Sequence, residues 1–267
     1  MKKVTLLLLA LTFGGKYVIA QDGGENDLKN FRFGLKATGM ITWYKPDDKK
    51  KYASNGASAR GGYGLTMEFR MNKVACFAMG VQVDYDMGKI TYLTTADPNY
   101  YWIDKDSQFL SYNDSASAST NTKYKINSRT YRTTYVTLPL SLKLKTPEIG
   151  AMTYYGQFGI NSSFRLKTRV NDDVNAGSPT GSHSTQTDLL ITDDMNIFRF
   201  ALNIGGGAEW NLAGSTSMFF ALNWYNGFSN VFKTDSKYLF RYNAGVPEAS
   251  KQKATSNAIA LTVGVLF

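Results

Sequence analysis

Apolar and polar residues alternate with a period of two through most of the chain, and this pattern constrains the fold more than any other feature. Near the C-terminus, for example, Ile259, Val263 and Phe267 fall on one side, and Thr262 and Gly264 fall on the other. A period of two is typical of a β-strand, whose successive side chains point to opposite faces. The pattern predicts eight strands, at residues 31–44, 57–71, 74–93, 131–145, 151–170, 196–211, 217–232 and 255–267.

The connections between the predicted strands alternate between short and long. The short connections lie at residues 72–73, 146–150 and 212–216. The long connections lie at residues 45–56, 94–130, 171–195 and 233–254. In an up-and-down barrel every second connection lies on the same rim, and outer-membrane barrels place their short turns in the periplasm. The sequence therefore predicts an all-β fold: a single antiparallel up-and-down transmembrane β-barrel of eight strands, with short periplasmic turns and long extracellular loops.

The alternation alone does not say which face of the strands is buried. A soluble, lipocalin-like barrel would bury the apolar faces, whereas a membrane barrel would turn them toward lipid. Long strands and the many Gly, Ala and Ser residues on the polar faces favour the membrane barrel. Aromatic residues near strand ends also favour it, because they resemble the girdles at a membrane interface. These residues are Trp43, Tyr44, Tyr131, Tyr154, Trp210, Trp224 and Tyr225.

The N-terminal segment has the features of an export signal. Two lysines precede an apolar stretch at residues 4–13, and a plausible cleavage site lies before Gln21. An apolar stretch of about ten residues is too short to cross a bilayer as a helix. We therefore predict a signal peptide at residues 1–20, a short periplasmic segment at 21–30 and a barrel domain at 31–267.

The charge balance and the cysteine content limit the partners and the sources of stability. The formal net charge is +9, and removal of the signal segment with its three lysines brings it near +6. An exported basic protein is expected to meet anionic lipid head groups or phosphorylated lipopolysaccharide rather than nucleic acid. Cys76 is the only cysteine, which excludes an internal disulfide. A closed, hydrogen-bonded barrel is the expected source of stability.

The polar faces of the predicted strands carry residues of both charges. Inside a narrow barrel these charges should pair, because an isolated buried charge is very costly. We therefore expect a plugged, salt-bridged interior rather than an open pore. The expected interior charge network consists of Arg32, Lys36, Glu68, Arg70, Asp84, Asp86, Lys143, Arg165, Lys167, Arg199 and Glu209.

Candidate catalytic and metal-binding residues are few. His183, the only histidine, lies in a predicted loop beside Ser182 and Ser184, but neighbours in an extended loop point apart, which disfavours a Ser-His-acid triad. The acidic pairs at residues 172–173 and 193–194 could share a calcium ion, but their spacing is irregular and solvated loop charge is favoured. Cys76 has no partner for metal or redox chemistry, so it is expected to fill space. We predict no catalytic, cofactor-binding or metal site.

The long loops carry the residues best suited to contacts. The loops at 45–56 and 233–254 are rich in lysine, and the loop at 171–195 is acidic. The loop at 94–130 carries the aromatic residues Tyr100, Tyr101, Trp102, Phe109 and Tyr112. Exposed aromatic residues mark a protein contact. Alternatively, the third and fourth strands extend above the membrane and pack these rings, and the sequence leaves both interpretations open.

Four segments of the chain together resemble a known family. They are the signal segment, residues 31–36, residues 135–140 with an aliphatic residue on each side of Pro139, and residues 263–267. These segments are similar to the outer-membrane β-barrel domain of Bacteroidota, often described as PorT-like. The resemblance covers essentially the whole mature chain and implies the barrel fold and an outer-membrane location. It also implies that Val263, Val265 and Phe267 form a C-terminal signal for the barrel assembly machinery.

Pro139 lacks a backbone N–H and would normally be excluded from the interior of a sheet. We expect a β-bulge or the start of a strand at this position, although the resembling family often has an aliphatic-Pro-aliphatic step here.

The leading functional hypothesis is a non-enzymatic barrel that serves as a structural or interaction component of the outer membrane. The namesake of the resembling family is implicated in type IX secretion, so a role in such a secretion system or in a surface assembly is included. The alternatives are a small passive channel and a lipid-modifying enzyme, which the single histidine disfavours. The expected partners are outer-membrane lipid and lipopolysaccharide, the barrel assembly machinery and secretion or surface-assembly subunits, without nucleic acid or a cofactor.

Overall fold

The computed structural model describes residues 30–93, 97–113, 121–214 and 216–267. The predicted signal peptide at 1–20 and nearly all of the predicted segment at 21–30 lie outside the described residues. None of the described residues belongs to a helix long and apolar enough to span a membrane. The helical element η1 is a short 3-10 helix at Thr192–Asp194. The strands are β1 (Phe31–Pro46), β2 (Tyr52–Ser54), β3 (Ser58–Arg70), β4 (Ala75–Tyr92), β5 (Tyr100–Ile103), β6 (Phe109–Leu110), β7 (Thr122–Lys145), β8 (Met152–Ala176), β9 (His183–Leu190), β10 (Phe198–Ala213), β11 (Thr216–Gly227), β12 (Asp235–Asn243), β13 (Val246–Lys251) and β14 (Ala254–Leu266).

Eight of these strands pair side by side in a closed order, and we call this set the ring. Its order is β1, β3, β4, β7, β8, β10, β11 and β14, and β14 pairs with β1 again. All of these pairings are antiparallel. The predicted all-β antiparallel fold is confirmed. Each predicted strand overlaps one ring strand, but the described residues hold fourteen strands in total rather than eight.

Short turns join the ring strands along one rim. They connect β3 to β4, β7 to β8, and β10 to β11. Gly150 and Gly214 lie in two of these turns with φ angles of +67° and +57°, a conformation that glycine adopts without a steric cost. The register pairs Gly34 with Leu266, so the start of β1 and the end of β14 lie on this rim as well. The long connections leave the opposite rim.

The outer surface of the ring is apolar, and its inner surface is polar. Leu35, Phe158 and Leu261 point outward and expose 59%, 53% and 57% of their surface. Thr38 and Asn161 point inward and are buried. A soluble barrel with an apolar core would have the reverse arrangement, so the soluble alternative is wrong for this ring.

The predicted aromatic girdle is only partly present. Trp43, Tyr154, Trp210 and Trp224 lie on the outer surface. Three other members, Tyr44, Tyr131 and Tyr225, point into the ring. For these three the prediction was wrong. Tyr44 and Tyr225 directly follow an outward-facing tryptophan, and neighbours in a strand face opposite sides.

The remaining six strands form a second region above the long-loop rim, which we call the cap. It contains β2, β5, β6, β9, β12, β13, η1 and the adjoining ends of β7 and β8, at residues 122–130 and 168–176. β5 pairs with β7 and β12, β12 pairs with β13, β9 pairs with β8, and β2 pairs with β4. The four predicted long connections lie on this rim, but their described parts contain the short strands, which continue the ring sheet upward. A two-residue turn with positive φ at Ala244 and Gly245 closes the β12–β13 hairpin.

The cap has an apolar core. Tyr101, Ile126, Val170, Val174 and Leu239 are among its buried members. The second interpretation of the loop at 94–130, in which extended strands pack the aromatic side chains, accounts for Tyr100, Tyr101 and Trp102, because all three side chains are buried. Residues 94–96 and 114–120 of that loop lie outside the described residues.

Pro139 lies in the middle of β7, opposite Asn161 of β8. On its other side, the pairing of β7 with β4 is interrupted between Met79–Leu140 and Gln82–Thr137 and then resumes in the same register. The position is neither a strand start nor a bulge, so that expectation was wrong. The missing N–H interrupts the ladder locally, and the pairs on both sides hold the register.

Candidate functional site

The ring interior contains two charge networks. The lower network lies near the short-turn rim, where Glu68 and Glu209 bridge three cations. Arg32 Nη2 lies 2.6 Å from Glu68 Oε2 and 2.7 Å from Glu209 Oε2. Lys145 Nζ lies 2.8 Å from Glu68 Oε2 and 2.6 Å from Glu209 Oε1, and Lys143 forms an ion pair with Glu68. Each carboxylate therefore holds at least two cations, which offsets the cost of burying them.

The upper network is centred on Asp86 and Arg199. Their side chains form an ion pair, and Ser256 Oγ donates a hydrogen bond of 2.9 Å to Asp86 Oδ2. The Arg199 guanidinium also lies 4.0 Å from the centre of the Tyr135 ring. Deeper in the ring, Gln82 Nε2 donates to Asp84 at 2.8 Å. These contacts pair the buried charges with both opposite charges and neutral donors.

The other predicted interior residues lie in several environments. Lys36 lines a small interior cavity, and Arg70 is half-buried on the inward face near the short-turn rim. Arg165 is buried, and its Nε donates to the Asn196 carbonyl oxygen at 3.2 Å. Lys145 belongs to the lower network but was missing from the predicted set. Its position two residues after Lys143 was the available signal, because residues i and i+2 of a strand share a face.

Lys167 is exposed on the outer surface rather than buried in the ring, which corrects its predicted position. The register of β8 against β7 shifts between Arg165 and Lys167, so Leu166 is an extra residue in the ladder. Such a β-bulge moves every following side chain to the opposite face. Lys167 consequently points outward, and Thr168 takes the inward position.

The interior leaves little free space. One cavity of about 40 Å³ is lined by Lys36, Ser141, Asn203 and Asn223, among others. A second cavity of about 20 Å³ lies beside Asp86 and the upper network. Both cavities have room for water molecules but are far smaller than a site for a drug-sized ligand.

The cap closes the ring above the upper network. The Phe232 ring, from the connection between β11 and β12, lies 4.8 Å from the Tyr131 ring and 5.8 Å from the Tyr44 ring. Met195 forms a backbone bridge to Phe232 and is itself fully buried. Apolar side chains from two long connections therefore fill the upper mouth of the ring.

A buried ion pair lies in the centre of the cap core, and sequence reasoning did not find it. Arg129 donates two hydrogen bonds to Asp172, of 2.7 and 2.6 Å, and both side chains are fully buried. The guanidinium also lies 5.0 Å from the centre of the Phe109 ring and 5.3 Å from that of the Tyr101 ring. The bidentate geometry joins β7 to β8 within the apolar core.

The acidic pairs at residues 172–173 and 193–194 each have separate partners. Asp173 pairs with His183 at 2.6 Å, and Asp193 pairs with Lys237 at 2.9 Å. Asp194 accepts hydrogen bonds from Ser236 Oγ and from the Lys237 backbone N–H. Among the described residues, no group of three or more His, Cys, Asp or Glu side chains could hold a metal ion.

Asp193 and Asp194 differ in environment although they are neighbours. The hydrogen bond from Lys237 lowers the pKa of the Asp193 carboxyl below its ordinary value. Burial raises the pKa of the Asp194 carboxyl, although the hydrogen bond from Ser236 partly opposes this shift. Both residues belong to η1, which contacts the beginning of β12.

His183 is the first residue of β9 rather than part of a loop, which corrects its predicted setting. Its side chain is exposed and pairs with Asp173. Ser184 follows it in the strand, so the two side chains point to opposite faces. Cys76 is buried on the inward face of β4.

The comparisons with known proteins identify the family. The model of the outer membrane protein beta-barrel domain family matches residues 19–233, so the chain belongs to this family and is an outer-membrane protein. No curated protein matches the chain.

Several solved structures are similar to this chain. The outer membrane protein OprG from Pseudomonas aeruginosa is 10% identical, with 89% of this chain and 96% of that chain covered and a TM-score of 0.42. A major outer membrane protein from Thermus thermophilus is 12% identical, with coverage of 89% and 99% and a TM-score of 0.41. Neisserial surface protein A is 12% identical, with coverage of 89% and 96% and a TM-score of 0.35.

Proposed function

We propose that the protein is a non-enzymatic eight-stranded membrane barrel that holds a folded cap on the cell surface as an interaction module. In this proposal the ring spans the membrane, with its short turns in the periplasm. Outward-facing apolar residues on β1 extend from Phe31 to Ile41. Ten residues of strand cover about 33 Å, or about 23 Å across a membrane at a tilt of about 45°, which fits the apolar band of such barrels.

The filled interior beneath a sealed cap is the observation that carries this proposal. Two charge networks occupy the ring, and the cap core covers its upper mouth with Tyr44, Tyr131 and Phe232. The interior that the described residues form holds two small cavities rather than a wide passage. A surface region with its own apolar core is suited to binding a partner through a fixed shape, because little ordering is needed on binding.

A conductance measurement tests whether the barrel is closed. We expect the purified, folded protein in planar bilayers to show no stable large conductance at neutral pH. A variant in which a short linker replaces residues 233–253 removes the cap strands β12 and β13 and should still conduct poorly, because the charge networks stay in place. A stable large conductance from the unaltered protein would contradict the proposal and favour a passive channel.

A crosslinked pull-down from the native outer membrane tests the interaction role. We expect secretion or surface-assembly subunits, such as those of the type IX system in which the namesake of the resembling family is implicated, to co-purify at a defined stoichiometry. Substitution of Lys49 and Lys50, exposed in the turn that leads into cap strand β2, by glutamine should weaken this recovery. The matched control is Leu261→Ala on the outer ring surface, which should leave recovery unchanged. Recovery of the barrel with lipid alone would count against the proposal.

A further inference from the structure

The outer surface of β4, β7 and β8 changes abruptly from apolar to basic near the cap. The strand registers place Val83, Val136 and Phe164 side by side in one row across the three strands. All three face outward, and Phe164 is 45% exposed. This row is the upper edge of the apolar surface on this side of the ring.

The next three rows contain four cations. In order of increasing distance from the apolar row, these rows are Tyr85–Thr134–Lys167, Met87–Arg132–Arg169 and Lys89–Thr130–Asn171. We call Lys89, Arg132, Lys167 and Arg169 the basic patch. Successive rows are two residues apart, or about 7 Å along the strand, so the patch begins within one row of the apolar surface. This is the level at which lipid phosphates lie beside a membrane barrel.

The bulge at Leu166 places two of these cations on the outer surface. If β8 alternated regularly through Leu166, without a bulge, Lys167 and Arg169 would continue the inward-facing series that ends at Arg165. With the bulge, both point outward, and Arg169 lies directly opposite Arg132. Like charges in opposite positions repel each other, so a compensating anion is required at this pair.

Asp188 of β9 supplies that anion. Arg132 Nη2 lies 2.8 Å from Asp188 Oδ1, and Arg169 forms an ion pair with the same carboxylate. Asp188 has a φ angle of +61°, which L-residues other than asparagine and aspartate rarely adopt. Within the described part of the chain, no carboxylate forms an ion pair with Lys89 or Lys167. The patch therefore keeps a net positive charge.

We propose that the basic patch binds the phosphate groups of a phosphorylated glycolipid in the outer leaflet, with acyl chains against Val136, Phe164 and Leu166. Arginine guanidinium groups bind phosphate oxygens in pairs, and the two unpaired lysines add point charges. The exposed apolar side chains directly below the patch supply the surface for the acyl chains. The proposal requires the outer-membrane location of the protein and does not depend on the interaction role of the cap.

The test measures binding of bisphosphorylated lipid A to the folded full-length protein in neutral detergent micelles. The double variant Lys167→Gln with Arg169→Gln should bind about 30-fold more weakly, since each basic residue near a lipid surface contributes about 1 kcal/mol. Asp188→Asn should bind more tightly, because it frees two arginines while keeping a residue that tolerates positive φ. Lys45→Gln is the matched control, since Lys45 is an exposed lysine near the same rim on β1, and its affinity should change less than twofold.

Heat-dependent migration on gels shows that each variant is folded before binding is measured. Dephosphorylated lipid A should bind the unaltered protein at least tenfold more weakly. Inorganic phosphate at the same phosphate concentration should not compete, because it lacks the acyl chains. The proposal is overturned if the double variant binds like the unaltered protein, or if Asp188→Asn loses affinity as the double variant does. It is also overturned if inorganic phosphate displaces the lipid.

Discussion

The ring and the cap share strands β7 and β8, but they bury opposite kinds of side chain. In the lower part of β8, the inward-facing residues Asn161 and Ser163 are polar, whereas Ile160 and Phe164 on the outward face are apolar. In the upper part, Val170 and Val174 face inward and belong to the cap core. The surroundings account for the difference, because lipid favours apolar side chains on the outside of the ring and water favours polar ones on the outside of the cap.

β-bulges make this inversion possible within continuous strands. Leu166 is the extra residue in β8, and Asn127 is the extra residue in β7. Beyond Leu166 the inward series becomes Thr168, Val170 and so on, instead of Lys167 and Arg169. Since a shift of one residue moves a whole series to the other face, a bulge converts a strand from the polarity of the ring to that of the cap.

Val170→Asp should have the largest effect on this contrast. Val170 is fully buried in the cap core, so the substitution places an unpaired charge there. We expect the cap to lose its folded structure while the ring still assembles, and limited trypsin digestion of the folded protein should then cleave the cap rapidly. Deletion of Leu166 is the control, because it removes only the residue without a partner and leaves Lys167 opposite Thr134 and Val170 inward. The deletion variant should resist digestion like the unaltered protein. A resistant Val170→Asp variant or a sensitive deletion variant would contradict this assignment of the faces.

Asp172→Asn should have the next largest effect, because it leaves the Arg129 charge unpaired in the cap core. Removal of one partner from a buried pair costs about 3–5 kcal/mol. Urea-dependent trypsin cleavage at the cap should report this loss of cap stability. The double variant Arg129→Met with Asp172→Leu removes both charges and should recover most of it. Equal loss in the single and double variants would argue that packing, rather than the unpaired charge, is responsible.

Gly88→Ala tests the boundary between ring and cap. A Cβ atom at this position would lie 2.5 Å from the Tyr44 ring, which is fully buried against Phe232. Overpacking of this kind costs about 1–3 kcal/mol. Hydrogen exchange should show faster opening of the cap, with unchanged exchange in the lower ring. Gly39→Ala, where nothing lies within 4 Å of the added Cβ, is the matched control.

The carboxyl groups of Asp193 and Asp194 should have the smallest effects on cap stability, and the two effects should depend on pH in opposite directions. The lowered pKa of Asp193 stabilises the cap above the ordinary aspartate value of 3.8, and this contribution is lost as the pH falls through the folded-state pKa. The raised pKa of Asp194 has the opposite sign, so its contribution is present below 3.8 and is lost as the pH rises.

Cap stability measured against pH in Asp193→Asn and Asp194→Asn tests these signs. Relative to the unaltered protein, Asp193→Asn should lose less stability on acidification, and Asp194→Asn should lose less on the approach to neutral pH. Differences of the same sign in the two variants would contradict the assignment.

The sequence by itself determined the antiparallel ring strands and most of the inward-facing charges. The period of two was sufficient for this, because it assigns alternate residues to opposite faces wherever a strand is regular. Arg32, Glu68 and Glu209 were predicted to lie inside on this basis, and the structure brings them together in one network.

Only the tertiary structure decided where that regularity stops. Lys167 was misplaced because a bulge has no clear sequence signature, and it reverses every face assignment that follows it. The cap strands were missed because they are short and pair with residues far along the chain, as β12 does with β5. The Arg129–Asp172 pair also depends on pairing between distant residues, since nothing in the sequence around either residue distinguishes it from an ordinary solvated charge. Local alternation therefore determines which face of a strand each residue occupies. Contacts between distant segments determine which strands pair with that strand and where the inward and outward faces exchange.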